Sequence, residues 1–136
     1  MDISQATQFV AENHRAVLAT TRSDGRFQLS PVTAGVDGDG RVVVSSRETA
    51  VKTANVRRNP YAALCVFTDR FFGGWVQVEG EIEVVSLPDA MEGLVEYYRR
   101  ISGEHPDWDD YRATMVKDRR VLLRMTVRRA GPNRSG

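Results

Sequence analysis

Cysteine and histidine are nearly missing from this chain: Cys65, His14 and His105 are the full set among its 136 residues. A single cysteine excludes an intrachain disulfide and any cysteine-based zinc site. Neither histidine falls in an HExxH, a Cys/His cluster or a visible triad, which argues against hydrolytic metal or nucleophile chemistry. No sign of charge dominates, since 19 Lys and Arg face 18 Asp and Glu for a formal charge of +1. A dedicated nucleic-acid binder needs a strong basic excess or a basic face. No apolar run approaches the roughly 20 residues of a membrane span, and Met1-Asp2-Ile3-Ser4-Gln5 is not a basic region leading into an apolar stretch. Neither nucleic acid nor membrane is expected as a partner, and the expected compartment is cytoplasmic. GxGxxG and GxxxxGK[ST] are absent, which removes the Rossmann and P-loop nucleotide sites. Asp107, Asp109 and Asp110 lack the glycine and the spaced carboxylates of a calcium loop and read as a helix cap plus a solvated face, so no metal is expected.

What is present is an ordinary globular composition, 41% hydrophobic and 27% charged, with 5 Pro and 11 Gly. Apolar Ala6, Phe9 and Val10 give Ser4 to Asn13 a helical spacing, with Asp2 or Ser4 able to cap it. Ala16 to Thr21 reads as a strand, Ser23-Asp24-Gly25 as a turn, and Phe27 to Thr33 as the returning strand, with Pro31 marking an edge or bulge. Asp37 to Gly40 turns into Arg41 to Ser46, completing an antiparallel meander. Glu48 to Arg58 has helical residue types, with Val51 and Ala54 expected to face inward, and Asn59-Pro60 stops it. Tyr61 to Phe67 is an apolar strand, expected to be central and to bury Cys65 as a small hydrophobe. After a loop from Thr68 to Gly74, Trp75 to Val85 alternates as a long half-buried strand in which Gly80 marks a bulge. Met91, Leu94, Val95 and Tyr98 make the stripe of one further helix, and Trp108, Tyr111 and Met115 that of another, capped by Asp107. Val121 to Arg128 closes the fold, and Arg129 to Gly136 reads as a loose polar tail. The expectation is a mainly β, α+β architecture: a small barrel of about six antiparallel strands with flanking helices. Residues 1–130 form its single domain and 131–136 the flexible end.

The stretch Ser45 to Pro60 carries the chemistry. Free N–H groups and partial positive charge at a helix start favour an anion, and Ser45, Thr49, Lys52 and Asn55 gather there. A solvated lysine on a short helix is the plain alternative. Gln28 and Ser30 alternate with apolar residues on a strand expected to neighbour Ser45. They suit the polar edge of a flat heterocycle whose face would lie on Pro31 and Val32. Trp75 offers a rigid surface nearby or, equally, a core aromatic. The pattern suggests a planar ring with a phosphorylated arm.

Val17-Leu18-Ala19-Thr20, Asp24-Gly25-Arg26-x-Gln28-x-Ser30, Ser45 and Lys52-Thr53-x-Asn55-x-Arg57-Arg58-x-Pro60 resemble the pyridoxamine 5′-phosphate oxidase-like split β-barrel proteins. The runs Tyr98-Arg99-x-Ile101-x-Gly103-Glu104-His105-x-Asp107 to Arg112, Met115-Val116 and Asp118 to Leu123 resemble the actinobacterial subgroup that uses the deazaflavin coenzyme F420. The likeness covers nearly the whole chain. It implies a homodimer with the cofactor at the interface. Lys52, Ser45 and Thr49 would be on the phosphate, Gln28, Ser30, Pro31 and Val32 on the ring, and Trp75 near the ring pocket. Ala50 departs from the pattern, because many relatives carry an arginine two residues before the lysine. Arg47, Arg57, Arg58 and a partner-chain arginine are candidates for the missing cation. Arg128, Arg129 and Arg134 are candidates for the cofactor's glutamate tail, weighed against a solvated end. The expected function is an F420-dependent oxidoreductase acting on an unsaturated small-molecule acceptor, with no side chain standing out as proton donor. An FMN-dependent oxidase or reductase and a non-catalytic cofactor carrier or sensor are the alternatives.

Overall fold

The computed structural model describes residues 1–132. Six strands, β1 (Arg15–Thr21), β2 (Phe27–Val36), β3 (Val42–Arg47), β4 (Tyr61–Phe67), β5 (Trp75–Ser86) and β6 (Arg120–Gly131), close into an antiparallel barrel in the order β1-β2-β3-β6-β5-β4. The chain also forms helices α1 (Ile3–Glu12), α2 (Val51–Arg58), α3 (Met91–Ser102) and α4 (Trp108–Lys117). The expected mainly β barrel with flanking helices is the fold found.

Two apolar layers explain the strand sequences. Val42, Val44, Val121, Leu123 and Met125 point into the barrel with Leu18, Leu64, Val66, Val76 and Val78. Val43 and Leu122 point the other way, into a second cluster with Leu94, Val95, Tyr111 and Met115 of α3 and α4. With both faces covered, β3 and β6 read as unbroken runs, Val42-Val43-Val44 and Val121-Leu122-Leu123, where a half-exposed strand would alternate. α1 adds Ala6 and Val10 to the barrel core, and Asp2 and Gln5 close its N-terminus in a capping box. Asp107 caps α4 as its sequence suggests, accepting from the Asp110 N–H. β4 is central, paired on both sides by β1 and β5. Its Cys65 is half-buried, and burial pushes the thiol up from its ordinary value.

Four expectations change. α2 begins at Val51 with Ala50 as its N-cap, later than the expected Glu48, because the chain turns through Glu48 and Thr49 after β3. Its inward residues are Thr53, Asn55 and Val56, while Val51 and Ala54 are exposed. The face is polar because it is hydrogen-bonded: Thr53 shares a 2.9 Å contact with the Ser46 hydroxyl and donates to the Arg47 carbonyl at 2.7 Å. β2 extends to Val36, and its pairing with β3 is confined to Ala34–Val36 against Val42–Val44. Gln28 and Ser30 therefore lie opposite Thr20 and Leu18 on β1 and do not pair with Ser45. β6 continues past Arg128, with Arg129, Ala130 and Gly131 paired to Glu79, Val78 and Gln77 instead of forming a loose tail. Residues 133–136 of the expected tail, including Arg134, lie outside the described residues. Gly80 does mark a bulge, where a register shift occurs against β6.

Candidate functional site

The short β2–β3 pairing leaves a split in the barrel wall. From Phe27 to Thr33, β2 has a strand partner only in β1 among the described residues. Pro31 sits on this singly paired stretch, where its missing N–H leaves fewer ladder bonds to lose. Beside it lies an open groove of about 710 Å³, within the usual range of small-molecule sites. Pro31, Val32 and Thr33 of β2 line it with Ser45 of β3 and Lys52 of α2. Tyr97, Tyr98, Tyr111, Thr114 and Met115 supply the helical wall, and Asp118 and Arg120 the remainder. Lys52 and Arg120 also line a recess of about 320 Å³ together with Ser46, Arg47, Thr49 and Ala50. The groove and the recess meet at those two cations.

The fold makes the recess basic. The β3–β6 register places Arg47 directly opposite Arg120. Lys52 enters from the first turn of α2, a helix whose N-terminus has no side-chain cap. Burial, then the neighbouring Arg120 and Arg47 guanidiniums, pushes the Lys52 ammonium down from its ordinary value. The Asp118 carboxylate stands 3.7 Å from Arg120 and 3.9 Å from Arg47, beyond hydrogen-bond reach of both. The Nε of Arg120 is buried with no hydrogen-bond partner among the described residues. The other α2 cations are engaged. Arg57 pairs with Glu48 at 2.7 Å, and Arg58 donates to the Thr21 carbonyl and to Asn55 Oδ1.

Sequence-predicted residues fall into four places. Pro31, Val32, Ser45 and Lys52 meet in the groove, and Thr49 joins Lys52 in the recess. Gln28 and Asn55 meet each other, because Asn55 Nδ2 donates to Gln28 Oε1 and to Thr20 Oγ1, both at 3.1 Å. Ser30 is half-buried on β2 and is not among the residues lining the groove. Trp75, at the start of β5 opposite Phe67, lines a separate cavity of about 380 Å³ with Gln77, Glu79 and the end of β6. The histidines serve structure: His14 Nδ1 donates to the Ala34 carbonyl, and His105 Nδ1 accepts from the Asp107 N–H.

Sequence reasoning missed Arg120 and the tyrosine wall. Arg120 immediately precedes the apolar run of β6, but only the register against Arg47 brings it to Lys52. Two of the three tyrosine hydroxyls are engaged, Tyr97 donating to the Thr33 carbonyl at 2.7 Å and Tyr111 to the Leu94 carbonyl at 2.8 Å. Burial pushes the Tyr111 phenol up to about 12 and raises that of Tyr97. These phenols stay protonated at neutral pH and line the groove as neutral rings whose O–H groups are already given to main-chain carbonyls. The arrangement can hold an anion at one end and a flat, partly apolar molecule along the rest.

Residues 4–132 match the model of the pyridoxamine 5′-phosphate oxidase family. Among solved structures, a conserved hypothetical protein from Mycobacterium tuberculosis superposes with a TM-score of 0.77 at 24% identity, over 100% of this chain and 92% of that one. An F420 reductase does so with a TM-score of 0.68 at 22% identity, over 91% and 94%. A heme-binding protein from Mycobacterium smegmatis gives 0.68 at 16%, over 98% of this chain and 56% of that one. At these identities the likeness is one of fold.

Proposed function

The chain belongs to the pyridoxamine 5′-phosphate oxidase family, and from that membership we propose that it is an F420-dependent oxidoreductase working as a homodimer. One observation carries the reading: a groove that is aromatic and apolar along Pro31, Val32, Tyr98 and Met115 shares Lys52 and Arg120 with a basic recess beside it. A phosphorylated planar cofactor has that polarity. The cationic end fits such a group because its guanidiniums lack close carboxylate partners. Lys52, Thr49 and Ser45 would hold the phosphate. Pro31 and Val32 would hold the ring, while Gln28, held by Asn55, and Ser30 lie further along β2 outside the groove lining.

When bound, a reduced deazaflavin supplies a hydride to an unsaturated organic acceptor. The protein orients the ring against β2, keeps water from one face and leaves the helical wall to the acceptor. The proton comes from solvent or from the acceptor, since the Tyr97 and Tyr111 hydroxyls donate to main-chain carbonyls. A second copy of the chain would cover the outward apolar side chains of β2, Phe27 and Leu29, which are 73% and 67% exposed. Trp75 lies outside the groove of its own protomer. It would reach a ring pocket only across that interface.

FMN is the second reading, because its phosphate would meet the same cations. Parallel titrations with F420, followed by fluorescence, and with FMN, followed by absorbance, separate the two. Saturable F420 binding with weak or no FMN binding is expected, followed by turnover of a conjugated acceptor. Tight FMN binding with no F420 response would overturn the reading. Tight F420 binding without turnover across a broad panel of enones and quinones would favour a carrier or sensor.

A further inference from the structure

Like charges placed directly opposite each other on adjacent strands destabilise a sheet. Arg47 and Arg120 are such a pair, and Lys52 adds a third cation to the same recess. Among the described residues, Asp118 is the one carboxylate within 4 Å of either arginine, at 3.7 and 3.9 Å. Other arginines show closer pairing: Arg128 of β6 meets Glu81 at 2.8 Å and Arg57 of α2 meets Glu48 at 2.7 Å. Three cations thus face one carboxylate, and the recess concentrates positive charge that the protein neutralises only in part. Arg120 is also only 26% exposed, so water screens this concentration incompletely.

We propose that Arg120, with Arg47 and Lys52, clamps a phosphoryl group, that it replaces the arginine absent at Ala50, and that Asp118 is the internal counter-ion the phosphoryl group displaces. This deepens the reading above and rests on it for the molecule that carries the phosphoryl group. The geometry suits the task. Arg120 borders both the recess and the groove, so its planar donors can meet an anion in the recess while its stem borders the ring's path. Arg47, 56% exposed, closes the solvent side. Arg57 and Arg58 are excluded by their own partners, the Glu48 carboxylate and the Thr21 and Asn55 oxygens.

A residue held for anion binding at the expense of the ligand-free sheet has a signature that a structural arginine lacks. Arg120→Gln should weaken binding of inorganic phosphate about tenfold or more by calorimetry. It should leave the melting temperature of the ligand-free protein unchanged or raised, because a cross-strand repulsion is removed. Asp118→Asn should do the reverse, tightening phosphate binding and lowering ligand-free stability. Arg128→Gln, on the same strand but paired with Glu81, should leave phosphate affinity unchanged. Wild-type phosphate affinity in Arg120→Gln, or weaker phosphate binding in Asp118→Asn, would overturn the clamp. The deazaflavin reading fails separately: phosphate bound through Arg120 with no F420 response would sink that reading and leave the clamp. F420 affinity untouched by Arg120→Gln would sink the clamp and leave the reading.

Discussion

Asn55 on α2 donates to Gln28 on β2 at 3.1 Å while the same amide nitrogen reaches Thr20 on β1, also at 3.1 Å. Its Oδ1 accepts from Arg58 at 3.0 Å, and the residue is 3% exposed. One buried amide thus fixes the helix that carries Lys52 to two strands of the split barrel. Asn55→Ala should cost about 2 to 3 kcal/mol of stability, because a buried polar network loses its centre and leaves Thr20 unpartnered. Urea unfolding measures it. A loss below about 0.5 kcal/mol would mean that the bonds to Gln28 and Thr20 do not anchor the helix.

Glu48 holds the turn before α2. Its carboxylate accepts from Arg57 at 2.7 Å and from the Ser86 hydroxyl at 2.6 Å, and these bonds lower its pKa from 4.5 to about 2. A carboxyl lowered on folding stabilises above its unfolded value and loses that contribution as pH falls toward its folded one. Stability should therefore fall between about pH 4.5 and pH 2 by about 1 kcal/mol from this group, scaled for a pair that water still reaches. Glu48→Gln should flatten that part of the pH–stability curve. An unchanged acid limb in the variant would remove Glu48 from the account.

Much of this fold is legible in the sequence because local rules and burial agree. Asp107 caps α4, β4 runs from Tyr61 to Phe67, and Gly80 marks the bulge, each as its residue types suggest. α2 is misread because amphipathicity is expected to be apolar inside, whereas Thr53 and Asn55 turn inward to hydrogen-bond the barrel end. The proposed anion site is half legible: Ser45, Thr49 and Lys52 are close in sequence, and Lys52 lines the groove with Ser45 and the recess with Thr49. Arg120 is invisible, since no local pattern encodes the β3–β6 register that sets it opposite Arg47. Trp75 reads from sequence as a rigid surface or a core aromatic and by resemblance as near the ring pocket, and one protomer puts it in a different cavity.

At Gly80 the bulge brings backbone against backbone. An added Cβ would stand 1.8 Å from the Thr126 carbonyl oxygen, an approach no side-chain rearrangement relieves. At Gly93 of α3 the nearest atom is the Leu122 Cδ2 at 2.7 Å, the flexible end of a side chain. Gly80→Ala should cost about 3 kcal/mol or more, whereas Gly93→Ala should cost far less because helix propensity favours Ala. Thermal unfolding of the two variants side by side tests the contrast. Equal losses would mean that β5 shifts to absorb the new atom.

The homodimer reading makes Leu29 an interface residue despite its 67% exposure in one protomer. Leu29→Asp buries a charge if a second copy covers β2 and does almost nothing if water does. The expected result is a monomer by sedimentation, still folded by circular dichroism, with F420 affinity reduced because the site is completed across the interface. A variant that remains dimeric would place the interface elsewhere on the barrel.

Lys52 is the cation on which the phosphate assignment turns first. It sits in the first turn of α2, borders both the groove and the recess, and has no carboxylate within 4 Å among the described residues. Its ammonium is disfavoured by burial and by Arg120 and Arg47, so an anion beside it relieves a repulsion that a solvated lysine does not feel. Lys52→Ala should weaken F420 binding by about 1.5 to 3 kcal/mol, the scale of a charge-assisted hydrogen bond, while the protein stays folded. In the ligand-free protein the same change relieves repulsion, so its melting temperature should hold or rise as affinity drops. A fluorescence titration paired with a melting curve reads both. An unchanged dissociation constant would take the phosphate away from α2 altogether.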